Sequence, residues 1–284
     1  MKELKKEELE IELLLKAIYS LSGYDFRQYM RSSIARRIQN RISRDRLPSI
    51  TCLTDKVIHE EGYIQKVLSD FSINVTEMFR DPSFFKAFRN EVVPMLKELP
   101  EIRIWHAGCS TGEEAYSMSI LMEEEGLGER TKIYATDINE KVLKKAESGI
   151  IPLQKMQLYT KNYIIAGGKK SFSEYYTTDC EAAYLNTSLL DRMVFAQHNL
   201  VTDGSFNEFH VIICRNVMIY FNTDLQRHVI NLFNESLSMG GILGLGSKEA
   251  LRMDDPVFED INLQEKIFRK ISDVKNKNRV QILS

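Results

Sequence analysis

No apolar run in this chain approaches the roughly 20 residues that a membrane-spanning helix needs. The longest, Val211 to Phe221, is interrupted by Arg215 and Asn216. The chain therefore gives no sign of direct membrane insertion. Its four cysteines (Cys52, Cys109, Cys180, Cys214) lack CxxC spacing, so they read as free thiols of a reducing compartment. The five histidines show no paired metal spacing, and no metal site is expected. A strong charge of one sign is also missing. The net charge of −2 excludes a molecule that binds nucleic acid through its overall field, and any electrostatic role must come from a local patch. The first ten residues, Met1 to Glu10, are mostly Lys and Glu and do not form a secretory signal. A cytoplasmic, monomeric protein is expected.

With 43% apolar and 27% charged residues among 284, the chain has the balance of a globular protein and the length for two modest domains. The first 80 or so residues read as helices. Leu9, Leu13, Leu14, Ala17, Ile18 and Leu21 recur at helical spacing, and Gly23 ends the run. A second helix is expected over Asp25–Arg46, with Ile34, Ile38 and Ile42 as its apolar stripe. That segment also carries Arg27, Arg31, Arg36, Arg37, Arg41, Arg44 and Arg46. Short helices follow near 50–59 and 62–68.

From Glu101 the pattern changes. Strands are expected at 103–107, 132–136, 192–197, 210–214, 241–245 and 266–271. Helices are expected at 113–125, 140–148 and 223–239. Strand–helix alternation predicts an α/β fold with a parallel, doubly wound sheet. We place a helical N-terminal domain at 1–82 and the α/β domain at 83–284. An insertion at about 150–190, rich in Tyr, Thr, Ser and Gly, is too long for a simple loop.

Three segments carry chemistry. The first is the strand ending in Ala107, followed by Gly108-Cys-Ser-Thr-Gly112 and a helix opening on Glu113 and Glu114. Small residues at a strand end let a ligand approach the backbone in the crevice where open α/β sheets bind nucleotides. The spacing is G-x-x-x-G and fits the dinucleotide fingerprint poorly. Two glutamates would repel a pyrophosphate, yet they suit a helix N-terminus and could receive the ammonium of S-adenosylmethionine. A capping pair without a ligand is the alternative. The second is Asp137, ending the next strand, where an acid bonds ribose hydroxyls. It indicates a nucleoside without saying which. The third comprises Asn199-Leu200 and Asn216-Val217, each a polar residue then an apolar one after an apolar strand. They can read an adenine edge and the cofactor's amino-acid end, or simply make turns.

Gly112-Glu-Glu-Ala-Tyr-Ser117, Cys214-Arg-Asn-Val-Met-Ile-Tyr-Phe221 and Ile73-Asn-Val-Thr-Glu-Met-Phe-Arg80 resemble the signature segments of CheR-type chemotaxis receptor methyltransferases. Most of that family has Pro where this chain has Ala115. The resemblance implies an S-adenosylmethionine-binding Rossmann-like sheet preceded by a small all-helical N-terminal domain. It implies a protein-glutamate O-methyltransferase that leaves S-adenosylhomocysteine as product. It carries cofactor contacts to Asn74, Thr76, Arg80, Glu114 with Glu113 adjacent, Asp137, Asn199, Leu200, Asn216 and Val217. Arg80 can bind a carboxylate bidentately, and Tyr220 is a candidate to shape the methyl's approach. The implied partner is the acidic helical region of chemotaxis receptors. Arg37, Arg41 and Arg44, at i, i+4 and i+7, would form one face that docks it. A methyltransferase acting on another protein or small molecule, and a non-catalytic adaptor that binds the cofactor, are the alternatives.

Overall fold

The computed structural model describes residues 2–71, 76–251 and 257–273. It divides into two compact units. The first comprises residues 1–73 with 220–229, and the second 74–219 with 230–284. The division near residue 73 precedes the expected boundary at 82.

The helical unit contains α1 (Lys2–Ser22), α2 (Arg31–Asp45), α3 (Ile50–His59) and α4 (Tyr63–Phe71). The α1 stripe that reaches the core is Ile11, Leu14, Leu15 and Ile18, whereas Leu9, Leu13 and Leu21 are exposed. Ile34 and Ile38 of α2 meet Leu53, Val57, Val67 and Phe71 in the same cluster. Ser49 opens α3 by accepting the Cys52 N–H at 3.2 Å, an N-cap that satisfies an otherwise orphaned donor. Helix α2 begins at Arg31, later than expected, because Tyr24–Met30 is held outside it. Tyr29 forms a β-bridge with Phe221, and the Met30 N–H donates to the Tyr220 carbonyl at 2.8 Å.

The second unit is built on a seven-stranded sheet in the order β6-β2-β1-β7-β8-β10-β9. Its strands are β1 (Ile102–Ala107), β2 (Thr131–Asp137), β6 (Met193–Gln197), β7 (Phe209–Cys214), β8 (Leu237–Leu245), β9 (Phe258–Asn262) and β10 (Ile267–Lys270). The pairs from β6 across to β8 are parallel, and β10 and β9 are added antiparallel. This is the Rossmann-like α/β fold expected. The expected helix 223–239 ends at Ser236, where the chain turns into β8 and Leu237 pairs with Phe209. The order reverses between β1 and β7, and the crevice beyond such a switch point is where α/β sheets bind ligands.

Short helices α5 (Pro82–Ala87) and α6 (Val93–Leu96) precede β1. Helix α7 (Glu113–Glu124) follows it, and α8 (Glu140–Ser148) follows β2. Residues 150–190 hold β3 (Ile150–Pro152), α9 (Leu153–Ile165), β4 (Tyr176–Thr178), β5 (Ala182–Leu185) and α10 (Thr187–Leu190), with a small antiparallel sheet β3-β5-β4. Glu124, at the end of α7, binds this insertion. Its buried carboxylate accepts from the Tyr163 and Tyr175 hydroxyls, the Lys169 N–H and the Arg89 guanidinium. Helix α11 (Thr223–Ser236) leads into β8. Among the described residues no helix is long and apolar enough to cross a membrane.

The expected docking face on α2 needs correction. At about 100° per residue, Arg37 and Arg41 lie within about 60° of Ile34, on the core side of the helix. They are only 5% and 7% exposed. Arg37 donates to the Phe71 carbonyl, and its guanidinium lies 5.0 Å from the centre of the Tyr220 ring. Arg41 pairs with Asp70 and, at 3.3 Å, with Asp45. Both are therefore packing residues, not a free basic face. Arg27, Arg31, Arg36, Arg44 and Arg46 are the exposed arginines of the segment 25–46. Arg41→Ala should lose about 1.5–3 kcal/mol, the usual worth of hydrogen bonds to charged groups. Arg44→Ala, whose 3.3 Å pair with Asp70 lies at the surface, should lose less than about 1 kcal/mol. Urea denaturation at constant slope measures both, and equal losses would contradict this division of roles.

Candidate active site at the switch point

The site grows from the end of β1. Trp105 is fully buried and donates its indole N–H to Thr136 at 2.8 Å, locking β1 to β2. The chain then turns sharply. The Gly108 and Cys109 N–H groups both donate to the Thr136 carbonyl at 2.8 Å. Gly108 has φ +79°, and a Cβ there would lie 2.5 Å from the Val217 side chain. Only glycine allows the loops after β1 and β7 to approach this closely.

Asp137 closes β2, as the sequence suggested. Its carboxylate accepts the Ser110 N–H and the Asn139 N–H, each at 2.9 Å. Burial pushes this carboxyl above the ordinary aspartate range, against the pull of those backbone bonds. Both oxygens keep further acceptor capacity. The Ser110 hydroxyl, in the same turn, is buried and has no hydrogen-bond partner among the described residues.

The two glutamates opening α7 do different things. Glu113 turns toward the insertion, accepting from Thr111 at 2.6 Å and from Tyr159 and Lys155 at 3.4 Å. Glu114 turns toward the strand ends. His106 of β1 contacts one oxygen at 3.1 Å, and Arg215 donates to the other at 2.9 Å. Burial alone would raise the Glu114 carboxyl, but His106 and Arg215 outweigh it and hold it below the ordinary value. Arg215 also donates to Asp81 at 2.7 Å and to the Arg80 carbonyl at 3.2 Å. Thr76 is half-buried, and its carbonyl accepts the Tyr159 hydroxyl at 3.5 Å. Thr76 and Arg80 thus belong to a segment joined to the site through their backbones. Asn74 lies outside the described residues.

Asn216 and Val217 follow β7 at the switch point, Asn216 in the left-handed region at φ +62°. Asn199 and Leu200 follow β6. The Asn199 side chain accepts the Val201 N–H at 3.0 Å, which makes it a turn residue. Leu200 is buried beside it. Tyr220, six residues past β7, belongs to the helical unit under Arg37. The second unit thus brings Glu114, Asp137, Asn216 and Val217 to adjacent strand ends. Two residues of the arrangement, Arg215 and His106, are absent from the sequence-based candidates. Arg215 was legible, as a charge placed directly after an apolar strand. His106 gave no local signal. Among the described residues no cluster of three or more potential metal ligands occurs.

A crevice with an anionic helix start, an acid closing the neighbouring strand and an unpartnered buried hydroxyl fits an adenosyl cofactor with a cationic amino-acid end. Comparisons with known proteins agree. Residues 74–267 match the CheR methyltransferase SAM-binding domain, and residues 9–72 match the CheR methyltransferase all-alpha domain. The chain belongs to the CheR methyltransferase family. It is an S-adenosylmethionine-dependent methyltransferase. It is 48% identical to Cher3 of Pseudomonas putida over 265 residues, covering 93% of this chain and 97% of that one. It is 29% identical to a chemotaxis protein methyltransferase of Borreliella burgdorferi, covering 86% and 88% of the two chains. It is 27% identical to chemotaxis protein methyltransferase 1 of Pseudomonas aeruginosa, covering 79% and 83%.

The Glu114–Arg215 pair gives a stability test for this family member. Arg215→Met removes the charge at similar length and leaves the buried Glu114 carboxylate with His106 but without its permanent counter-charge, a loss of up to about 3–5 kcal/mol at neutral pH. In the wild type the depressed Glu114 value means its contribution is present above the ordinary glutamate range. It is lost as pH falls through the lower folded value. In the variant the folded value rises relative to the wild type, so the deficit is largest at neutral pH and shrinks as acid protonates Glu114. Denaturation midpoints from pH 7 to pH 4 should therefore converge, and a deficit that is constant across that range would refute the pairing.

Proposed function

We propose that this methyltransferase transfers the methyl group of S-adenosylmethionine to glutamate side chains in an acidic helical region of chemotaxis receptors. The observation that carries the reading is the pair of carboxylates, Glu114 and Asp137, fixed at the ends of β1 and β2 around the turn Gly108–Gly112. Glu114 would receive the cofactor's ammonium and Asp137 its ribose hydroxyls. Asn216, Val217, Asn199 and Leu200 would line the rest, with Glu113 beside them. Asn74, Thr76 and Arg80 complete the set by family resemblance, with Arg80 binding a carboxylate and Tyr220 shaping the approach. The names of the relatives support a role in chemotaxis.

When bound, S-adenosylmethionine supplies an electrophilic methyl group on a sulfonium. The chain's own task is to hold and orient. A glutamate acceptor has a reference pKa near about 4.3 and is already ionised at neutral pH, so its nucleophile needs no general base. Orientation at near-attack distance can contribute up to roughly 7–11 kcal/mol. Arg36 and Arg44, exposed on α2, are the residues we assign to the acidic helix, with electrostatic steering as their contribution.

Incubation with radiolabelled S-adenosylmethionine and receptor-containing membranes should give base-labile label on receptor glutamates. Cofactor binding without transfer would favour an adaptor. Asp137→Ala should weaken S-adenosylhomocysteine binding by about 1.5–3 kcal/mol in calorimetry. The double variant Arg36→Ala/Arg44→Ala should bind S-adenosylhomocysteine normally while its kcat/KM for receptor falls and becomes less sensitive to salt. Full receptor activity with an unchanged salt response would remove these arginines from docking.

A further inference from the structure

Glu249 is buried, 4% exposed, three residues beyond Gly246 at the end of β8. It plays no part in the assignments above, yet four backbone donors converge on it. Oε2 accepts the Gly246 N–H at 2.7 Å and the Asn216 N–H at 3.0 Å. Oε1 accepts the Val217 N–H at 2.9 Å and the Met218 N–H at 2.8 Å. Three of the four belong to the turn after β7. A carboxylate accepts at both oxygens, and no other side chain of this length does so. Gln at this position would aim an NH2 group at two of the N–H donors. Burial pushes the Glu249 carboxyl above the ordinary range, and the four N–H groups oppose that shift.

The surroundings fit the same role. Asn216 sits in the left-handed region, which asparagine tolerates better than other side chains, and its N–H is held there by Glu249. Gly246 leaves the necessary space, since a Cβ there would lie 2.7 Å from Glu249 Oε2 and 2.9 Å from the Asn216 nitrogen. Val217, the next residue of the turn, packs against Gly108 of the loop after β1. The position of Glu249 is thereby passed to both loops of the switch point.

We propose that Glu249 is a positioning residue for cofactor binding: its carboxylate sets the turn that presents Asn216 and Val217 to the ligand. This rests on the reading that the turn carrying those two residues contacts S-adenosylmethionine. The test uses the full chain with Glu249→Gln, Gly246→Ala and Asn216→Ala. Calorimetry with S-adenosylhomocysteine is run well below each melting temperature, and hydrogen exchange is read at amides 216–218. Glu249→Gln should weaken S-adenosylhomocysteine by about tenfold or more. It should speed exchange at 216–218, and raise KM for S-adenosylmethionine with kcat within about twofold, the pattern of lost ground-state binding. Gly246→Ala should change affinity in the same direction. Weakened binding in Asn216→Ala but unchanged affinity in Glu249→Gln would overturn the proposal and leave the cofactor reading intact. A lower melting temperature or faster exchange in Glu249→Gln, with unchanged affinity, would also overturn it as a merely structural effect. Unchanged affinity in Asn216→Ala alone would refute that side chain's cofactor contact, while Glu249 would stand on the backbone of the turn.

Discussion

The side chain of Arg215 is 1% exposed and holds together three segments that lie far apart in the sequence. A charge buried to this extent costs several kcal/mol unless it is paired and hydrogen-bonded. Glu114 supplies one counter-charge from the start of α7, Asp81 supplies another, and the Arg80 carbonyl takes two further N–H bonds. The ring of Phe84 lies beneath it, 4.2 Å from the guanidinium carbon to the ring centre, adding a cation–π contact. Removing Glu114 would leave the buried guanidinium with only the more exposed Asp81 as counter-charge. The end of β7, the first turn of α7 and the segment before α5 are therefore tied through one side chain, and the Phe79 N–H, which donates to the Ser117 hydroxyl at 2.8 Å, adds a second tie between the last two.

That constraint prepares the crevice for a cation. Glu114 is kept ionised by its two partners, and its helix start adds the positive end of the dipole to the forces that keep it so. Asp137 is tied to the next turn through Ser110 and Asn139. Each carboxylate is thus fixed before a ligand arrives, and preorganised groups lose little freedom on binding. For an S-adenosylmethionine-dependent methyltransferase this matters more than any acid–base group. The acceptor proposed is already an anion, and the rate depends on how well the donor is held in line with it.

Much of this could be read in the sequence because it is local. Strands β1, β2, β6 and β7 announce themselves as short apolar runs, and the candidate residues lie at or just beyond their ends: Asp137 closes β2, and Asn199 and Asn216 each follow two residues after β6 and β7. The G-x-x-x-G turn and its two glutamates argued against a pyrophosphate. What the sequence hid depended on partners far along the chain. Glu249 sits in an ordinary Lys-Glu-Ala run, and its meaning comes from three N–H groups more than 30 residues earlier. Arg37 and Arg41 looked like a charged surface because arginine usually is one. Their places beside Ile34 and Ile38 bury them, and Asp70 and the Phe71 carbonyl lie opposite. β9 was missed because Phe258–Asn262 alternates too weakly to read as a strand on its own. Leu237–Met239 continues the apolar spacing of α11, and only its pairing with β7 makes it strand.

The most direct measurement is a crystal structure of the protein with S-adenosylhomocysteine bound. The account requires the ligand's ammonium within hydrogen-bond distance of Glu114, its ribose hydroxyls on Asp137, and Arg215 still joining Glu114 to Asp81. A ligand lodged away from the ends of β1 and β2, or a Glu114 that turns from Arg215 when the ligand binds, would contradict it.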